Sequence, residues 1–240
     1  MFALEIRDGI ARLTLERPAV RNAVPVAGWD ELAAKVAQAE AGGARLLVVA
    51  GSPGAFCAGA DLADFPAMRG DEAAAASFRA AMRRGLDALS AVPVPTIALV
   101  EGACFGAGVA LAAACDIRLA GPGARFAVTP ARMGISFPLE DVHRLVALVG
   151  AGHSARLLLG GGAIDAAEAK RIGLVEGDSA ELEAFAAAVL ANHPTSITVL
   201  KHAVALAARG VRSDDAQDRS FDALLAGDAL AARLEARRRR

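Results

Sequence analysis

Twice in this sequence a short apolar run leads into a turn of small residues and then into a helical segment. The first run is LLVVA, followed by FCAGADL at 56–62, and the second is TIALV, followed by FGAG and a helix predicted at about 106–115. Short apolar runs bounded by turn residues are typical of buried strands. Glycine and alanine in the turns allow a ligand to come close to the backbone. Because strands and helices alternate over the first part of the chain, an α/β fold is predicted.

The remaining pattern extends this α/β prediction. Alternating apolar residues on both sides of Asp8-Gly9 predict a hairpin with a type I′ turn. The spacing of Trp29, Leu32 and Val36 predicts an amphipathic helix that stops at Gly42-Gly43, and a further helix is predicted over about 71–91. DIRLA and ARFAV predict further strands. From about 141 onward the pattern is almost entirely helical, with Asp165 as an N-cap, and the last segment is one long helix or a pair of helices.

Composition excludes several classes of protein. Hydrophobic residues make up 55% of the 240 residues, yet the longest uncharged stretch, Gly102 to Cys115, is shorter than the roughly 20 residues that cross a bilayer. This stretch therefore predicts a buried helix, and no membrane partner is expected. The N-terminus lacks the features of a signal peptide, and three unpaired cysteines indicate a reducing compartment, so we expect a cytoplasmic protein. A net charge of −1 gives no general attraction for nucleic acid.

Most well-known site motifs are absent. There is no P-loop, nucleophile elbow, HExxH or paired-cysteine spacing, so no metal is expected, and the four histidines are interpreted as surface or capping residues. GAGVAL begins like a dinucleotide-binding loop but has Leu111 where a small residue is needed. The basic tail ARLEARRRR is either a solvated helix end or a contact for a phosphate-bearing ligand or a partner subunit.

Two interpretations of the glycine-alanine turns stay open at this point. Unpaired amides that converge from both turns would form an oxyanion hole, which needs main-chain donors and no special side chain. Alternatively, the small residues only permit tight packing between strands and helices.

Four elements in order resemble the crotonase family, also called the enoyl-CoA hydratase/isomerase superfamily: LERPAVRNAV, FCAGADL, EGACFGAG and AIDAAEAKRIGLV. The resemblance implies an α/β fold, a crotonase-like ββα spiral core at 1–180, with a C-terminal helical trimerisation region at 181–240. It also implies an acyl-CoA thioester as substrate, no cofactor apart from the CoA of that substrate, and a homotrimer or a dimer of trimers.

The resemblance carries roles onto particular residues. The oxyanion amides would be those of Ala60 and Ala107. The other positions implied to contact the substrate are Val20, Arg21, Ala23, Asp61, Leu62, Gly106, Ala110 and Ala131. Asp61 also suits a helix N-cap, and Cys57 suits a buried packing residue.

The sequence departs from the family at its two catalytic glutamates, whose positions here hold Ala110 and Ala131. Glu140 and Asp141 are the nearest replacements, unless they only open the following helix, and His143 is a weaker alternative. The predicted function is an enoyl-CoA hydratase or isomerase. The alternatives are a non-catalytic acyl-CoA binder that has lost the acids and a nicotinamide-dependent oxidoreductase.

Overall fold

The structure is a computed structural model that describes residues 1–238, so the last two arginines of the basic tail lie outside the described residues. Its strands are β1 Phe2–Arg7, β2 Ile10–Leu15, β3 Leu46–Gly51, β4 Ala55–Cys57, β5 Thr96–Val100, β6 Ala103–Phe105, β7 Ile117–Ala120, β8 Arg125–Ala127, β9 Ile164–Asp165 and β10 Gly177–Asp178. Its α-helices are α1 Val26–Ala41, α2 Glu72–Ala91, α3 Ala107–Ala113, α4 Leu139–Gly160, α5 Ala166–Arg171, α6 Leu182–Ala191, α7 Pro194–Ala208, α8 Asp215–Ala226 and α9 Asp228–Arg238. Four 3₁₀ segments are Pro18–Val20, Leu62–Met68, Pro130–Met133 and Ser179–Glu181.

The chain winds as a spiral of repeating ββα turns. In three successive turns one strand joins a six-stranded sheet, the next joins a four-stranded sheet, and a helix follows. The large sheet has the order β1-β2-β3-β5-β7-β10, and the small sheet has the order β4-β6-β8-β9. Apart from the β1–β2 hairpin and the β8–β9 pair, neighbouring strands run parallel. The predicted α/β fold with a spiral core is confirmed.

The large sheet is buried on both faces, which explains its continuous apolar strands. In β3, Leu47 and Val49 pack into the larger core, whereas Leu46 and Val48 pack on the other side against α6. Strands covered on one face only alternate polar and apolar residues. The uninterrupted LLVV run therefore reports a central position in the sheet.

Several local predictions are confirmed. Asp8 and Gly9 both have positive φ, 51° and 80°, as a type I′ turn requires. Helix α1 ends at Gly42, and Gly43 follows with a φ of 75°. The Asp165 carboxylate accepts a hydrogen bond of 2.9 Å from the Glu168 amide and so caps α5.

The structure corrects other boundaries. The uncharged stretch 102–115 is a short strand, β6, followed by α3, whereas the sequence predicted a single buried helix. The region predicted as almost entirely helical contains β9 and β10, which complete the edges of the two sheets. Both are two residues long, too short for a periodic pattern to reveal. The last segment forms the pair α8 and α9.

The final helices differ from the rest of the chain because α7, α8 and α9 contain no buried residue. Large apolar side chains on them, among them Val204, Phe221 and Leu225, are exposed. Helix α6, which the predicted division at residue 180 assigns to the C-terminal region, packs on the sheet. The division stays a prediction. None of the helices in 1–238 has the length and apolarity to span a membrane.

Candidate active site

The site forms where two neighbouring parallel strands of the small sheet end. β4 leads into the turn Ala58–Ala60, and β6 leads through Gly106 into α3. Gly59 has a φ of 107° and Gly106 a φ of 51°, a region of backbone space that favours glycine. Because the two strands pair in parallel, both turns lie side by side at the carboxyl-terminal ends of the strands.

The two turns are in direct contact. A Cβ atom added to Gly59 would lie 2.8 Å from the Phe105 carbonyl oxygen and 3.4 Å from the Ala107 nitrogen. A Cβ atom on Gly108 would lie 2.3 Å from the Cys57 carbonyl oxygen. Only glycine fits at either position without displacing the opposite backbone, so the small residues do permit tight packing.

The same turns also leave two amides without partners. Val24 donates to the Gly59 carbonyl at 2.8 Å, and the Asp61 amide donates to the Val24 carbonyl at 2.9 Å. The amide between them, that of Ala60, donates to no protein group within 1–238. The same holds for Ala107, whose amide begins α3 and so lacks an intrahelical acceptor. Packing and the presentation of donors therefore coexist.

Both residues border a cavity of about 590 Å³, here called the main cavity. Most of its lining is apolar and comes from the two turns, the 3₁₀ segment after Asp61, α2 and the segment before α4. The polar side chains that line it are Arg69, Arg79, Thr129 and Ser136. No aspartate, glutamate or histidine of the described chain lines it. The main cavity thus offers hydrogen-bond donors and apolar surface, but no carboxylate.

The turn that carries Ala60 is held by an arginine that the sequence analysis did not single out. Arg17 Nη1 donates to the Ala23 carbonyl and to Asp61 Oδ2, both at 2.7 Å. Asp61 also caps the 3₁₀ segment by accepting from the Ala63 amide at 3.1 Å, as expected of an N-cap. Arg17 lowers the pKa of the Asp61 carboxyl through this hydrogen bond. The ion pair thus fixes both neighbours of the Val24–Ala60 contact.

Asn22 is a second residue that the sequence analysis missed. It is fully buried with a φ of 59°, and its side chain donates to the Ala55 carbonyl at 2.7 Å and to the Ser52 carbonyl at 3.2 Å. Asn22 therefore joins the 17–24 segment to the β3–β4 connection. Its place in LERPAVRNAV, one of the four elements of the family resemblance, was a signal for it.

Most of the residues near the Ala60 turn that the family resemblance implies as substrate contacts lie outside the main cavity. Val20 and Arg21 are exposed and Ala23 is buried, and the Arg21 carbonyl accepts from the Ala58 amide at 2.9 Å. Leu62 is 56% exposed and lines the cavity. The segment with Val20, Arg21 and Ala23 therefore runs alongside the Ala60 turn without lining the main cavity.

Gly106 lines the main cavity, but the two alanines at the family's glutamate positions do not. Ala110 is buried inside α3, and Ala131 is exposed beside Pro130, which does line the cavity. Neither methyl group can transfer a proton.

Glu140 and Asp141 line a separate cavity of about 310 Å³, here called the side cavity, which shares Arg79, Met82 and Pro138 with the main one. Both carboxylates are paired with arginines. Glu140 lies 2.8 Å from Arg83, and Asp141 lies 3.0 Å from Arg144. The structure therefore does not bring these two residues together with Ala60 and Ala107 in one cavity.

Asp141 is the unusual acid of the side cavity. Its residue is only 3% exposed, and burial raises the pKa of its carboxyl despite the opposing charge of Arg144. A raised pKa is what proton transfer near neutral pH requires.

Cys57 is fully buried, and burial raises the pKa of its thiol to about 12. A thiol with this pKa carries almost no thiolate at neutral pH, so Cys57 packs and does not react. His193 caps α7 by accepting from the Ser196 amide at 3.4 Å, in line with the predicted capping roles.

A ββα spiral with two strand-to-helix turns of this kind is a crotonase fold. The family model described as enoyl-CoA hydratase/isomerase matches residues 5–229. The chain therefore belongs to the enoyl-CoA hydratase/isomerase family, as the sequence resemblance predicted.

Relatives and solved structures agree. The Mycobacterium bovis protein named "Probable enoyl-CoA hydratase echA6" is 31% identical over 199 residues, which cover 82% of this chain and 79% of that protein. The Bos taurus protein named "Enoyl-CoA hydratase domain-containing protein 2, mitochondrial" is 30% identical over 229 residues, covering 90% of this chain and 76% of that protein. The crystal structure of an enoyl-CoA hydratase/isomerase family protein from Hyphomonas neptunium has a TM-score of 0.88 at 34% identity, covering 94% of this chain and 90% of that one.

Proposed function

We propose that this protein binds an acyl-CoA thioester with its carbonyl oxygen between the amides of Ala60 and Ala107, and that these amides stabilise the enolate formed from it. The observation that carries the proposal is that two unbonded amides from touching turns border one apolar cavity. A donor aimed at a developing oxyanion contributes about 3 kcal/mol to transition-state stabilisation. The low polarity of the cavity lining strengthens that interaction.

The reaction assigned to this site is of the enoyl-CoA hydratase/isomerase type. In isomerisation, a base removes a proton from the α-carbon of a 3-enoyl thioester, the electron pair moves onto the thioester oxygen, and a proton returns at the γ-carbon. In hydration, the base takes a proton from water as the water oxygen bonds to the β-carbon, the electron pair of the double bond moves onto the thioester oxygen, and the resulting enolate takes a proton at the α-carbon. Both reactions need a group that takes up and returns a proton. We assign this role to Asp141 or Glu140, which line the side cavity beside the residues that it shares with the main cavity.

A second candidate function is acyl-CoA binding without catalysis. The observation that favours it is the absence of any carboxylate or histidine from the main-cavity lining among residues 1–238. Loss of a placed acid or base typically costs about 10²–10⁴-fold in rate while leaving binding intact.

Exchange of the α-protons of a saturated acyl-CoA in deuterated water separates the two functions. Exchange followed by mass spectrometry reports enolate formation, and calorimetry on the same thioester reports binding. Binding with exchange supports the enzyme, and binding without exchange supports the non-catalytic function. Loss of the conjugated-thioester absorbance of a 2-enoyl-CoA identifies hydration, and its appearance from a 3-enoyl-CoA identifies isomerisation.

The variant Ala107→Pro tests the amide itself. Proline removes the N–H group, and the first position of a helix tolerates it. We expect α-proton exchange to fall by about 10²–10³-fold with little change in melting temperature. Ala107→Gly is the matched control, since it keeps the N–H group. Equal activity of the two variants contradicts the proposed oxyanion hole.

Three broader assignments accompany the proposal. The C-terminal helices, whose apolar side chains are exposed in the single chain, are proposed to pack against further copies in a homotrimer or a dimer of trimers, which light scattering measures. The three buried free cysteines fit a reducing compartment, for which we propose the cytoplasm. CoA is part of the substrate, and no separate cofactor or metal is proposed.

A further inference from the structure

Two arginines are the charged side chains of the main cavity, and neither has a partner. Within the described residues, the guanidinium groups of Arg69 and Arg79 form no ion pair and no hydrogen bond. Other arginines on α2 are paired: Arg83 with Asp87 and Glu140, and Arg84 with Asp30. Of the three arginines on α2, the unpaired one, Arg79, is therefore the one that lines the main cavity.

The segments that carry these two arginines contact each other through an aromatic pair. Arg69 directly follows the 3₁₀ segment that contains Phe65, and Arg79 directly follows Phe78 in α2. The rings of Phe65 and Phe78 pack edge to face with centroids 6.0 Å apart. The two segments that carry the arginines are therefore packed against each other, and both arginines line the main cavity.

The arginines also lie away from the amide donors. Seven residues of 3₁₀ segment separate the Ala60 turn from Arg69, and such a helix rises about 2 Å per residue. The lining between them is apolar and includes Leu62, Phe65 and Met68. An acyl chain with its carbonyl at the turns would extend over this apolar surface toward the arginines.

Arg79 also borders the side cavity, where carboxylates are available. Those carboxylates are already engaged, because Glu140 pairs with Arg83 and Asp141 with Arg144. Arginine stays charged at every physiological pH, and its planar fork binds carboxylates in a bidentate manner. An anion in the main cavity is therefore the complementary partner.

We propose that the substrate is an acyl thioester whose acyl chain ends in a carboxylate, which Arg69 and Arg79 bind. This inference rests on the proposed function, because it places the thioester carbonyl at Ala60 and Ala107. The phosphates of CoA are the other anions that the two arginines would attract. Arg21 is exposed, lies outside the main cavity and has no ion pair among the described residues, so we assign it to the phosphates, which leaves Arg69 and Arg79 for the acyl carboxylate.

Calorimetric titration with paired thioesters tests the proposal. Succinyl-, glutaryl- and adipyl-CoA are each compared with the methyl ester of their free carboxyl group, which has nearly the same shape and no charge there. We expect the carboxylated member of at least one pair to bind about tenfold or more tightly to the wild-type protein, because hydrogen bonds to charged groups are strong. Arg69→Met/Arg79→Met should abolish this preference while keeping the affinity for the esters.

Arg84→Met is the matched control, since it removes the same charge from α2 at a residue that does not line the main cavity. It should keep the preference. The titrations are repeated with pantetheine thioesters, which lack the nucleotide phosphates, and the preference should persist.

Three results would overturn the inference, and they are distinguishable. Equal affinity for both members of every pair removes the acyl carboxylate as the ligand. Weakening of acids and esters alike in the double variant, seen with CoA but not with pantetheine thioesters, assigns the arginines to the phosphates. No binding of any thioester overturns the proposed function itself.

Discussion

The main and side cavities share three residues but are built from opposite materials. The main cavity presents main-chain donors, apolar surface and two unpaired arginines, without a carboxylate among the described residues that line it. The side cavity contains carboxylates that arginines neutralise. The difference teaches that donors and acids, which the proposed reaction must combine, are kept apart by Arg79, Met82 and Pro138. Substitutions beside one cavity therefore test whether the other cavity responds.

The largest effect is expected from Arg144→Met, which removes the partner of Asp141 in the side cavity. This change leaves the nearly buried carboxylate of Asp141 without its ion-pair partner, which we expect to lower the free energy of unfolding by about 3 kcal/mol near neutral pH. Urea unfolding measures it. Thioester affinity in the main cavity should be unchanged, and a parallel loss of affinity would show that the cavities are not independent.

The same variant makes a pH prediction. Burial holds the pKa of Asp141 above its unfolded value, so the folded state binds the proton more tightly and stability falls as pH rises through the folded pKa. Without Arg144 this penalty grows. The deficit of the variant should therefore be full near neutral pH and disappear below the unfolded pKa of about 3.9. A pH-independent deficit would mean that packing, not charge, is lost.

A smaller effect is expected from Gly108→Ala between the two turns. The new methyl group would lie 2.3 Å from the Cys57 carbonyl oxygen and must push the turns apart. We expect destabilisation of about 1–3 kcal/mol, measured by urea unfolding, together with loss of thioester binding. Gly123→Ala, whose added methyl group meets open space, is the control. Wild-type affinity in a destabilised Gly108→Ala protein would contradict the dependence of the site on contact between the turns.

The smallest effect is expected from Arg17→Met, which removes the ion pair beside the Ala60 turn. We expect thioester affinity to fall about fivefold, which corresponds to about 1 kcal/mol, the upper contribution of a partly exposed ion pair. Because Arg17 lowers the pKa of Asp61, their ion pair stabilises the folded protein above the unfolded pKa of about 3.9. This stabilisation disappears as pH falls through the folded pKa of Asp61. Calorimetry near neutral pH measures the thioester affinity. Unfolding curves from neutral to acid pH measure how the difference in stability between the variant and the wild type decreases. A wild-type affinity in the variant would remove Arg17 as a positioning residue.

The turns were predictable because their signal is local. Asp8-Gly9 and the glycine-alanine turns occupy a few consecutive residues, and backbone sterics restrict which residues can stand there. Strands β4 and β6 escaped detection because each runs directly into a glycine-alanine turn, whereas β8, which is equally short, was predicted from ARFAV. The Arg17–Asp61 pair spans 44 residues, and Arg144 reaches Asp87 across 57. Pairings over such separations follow from the winding of the spiral, which no window of sequence contains.

The separation of Glu140 and Asp141 from the main cavity has the same origin. Sequence proximity to the expected position suggested them, but Arg83 on α2 engages Glu140, and Arg144, one turn further along α4, engages Asp141. Arg69 and Arg79 carried no motif, and their importance appeared only when the cavity brought them together.

The two donors at Ala60 and Ala107 are main-chain amides, and this has an evolutionary consequence. Every amino acid except proline supplies the same amide, so mutation at these positions rarely deletes it. Under the proposed function, side chains around the main cavity can change while both amides stay available to a thioester carbonyl. New reactions can then arise by replacing these side chains one at a time, while the two proposed amide hydrogen bonds to the ligand are inherited unchanged.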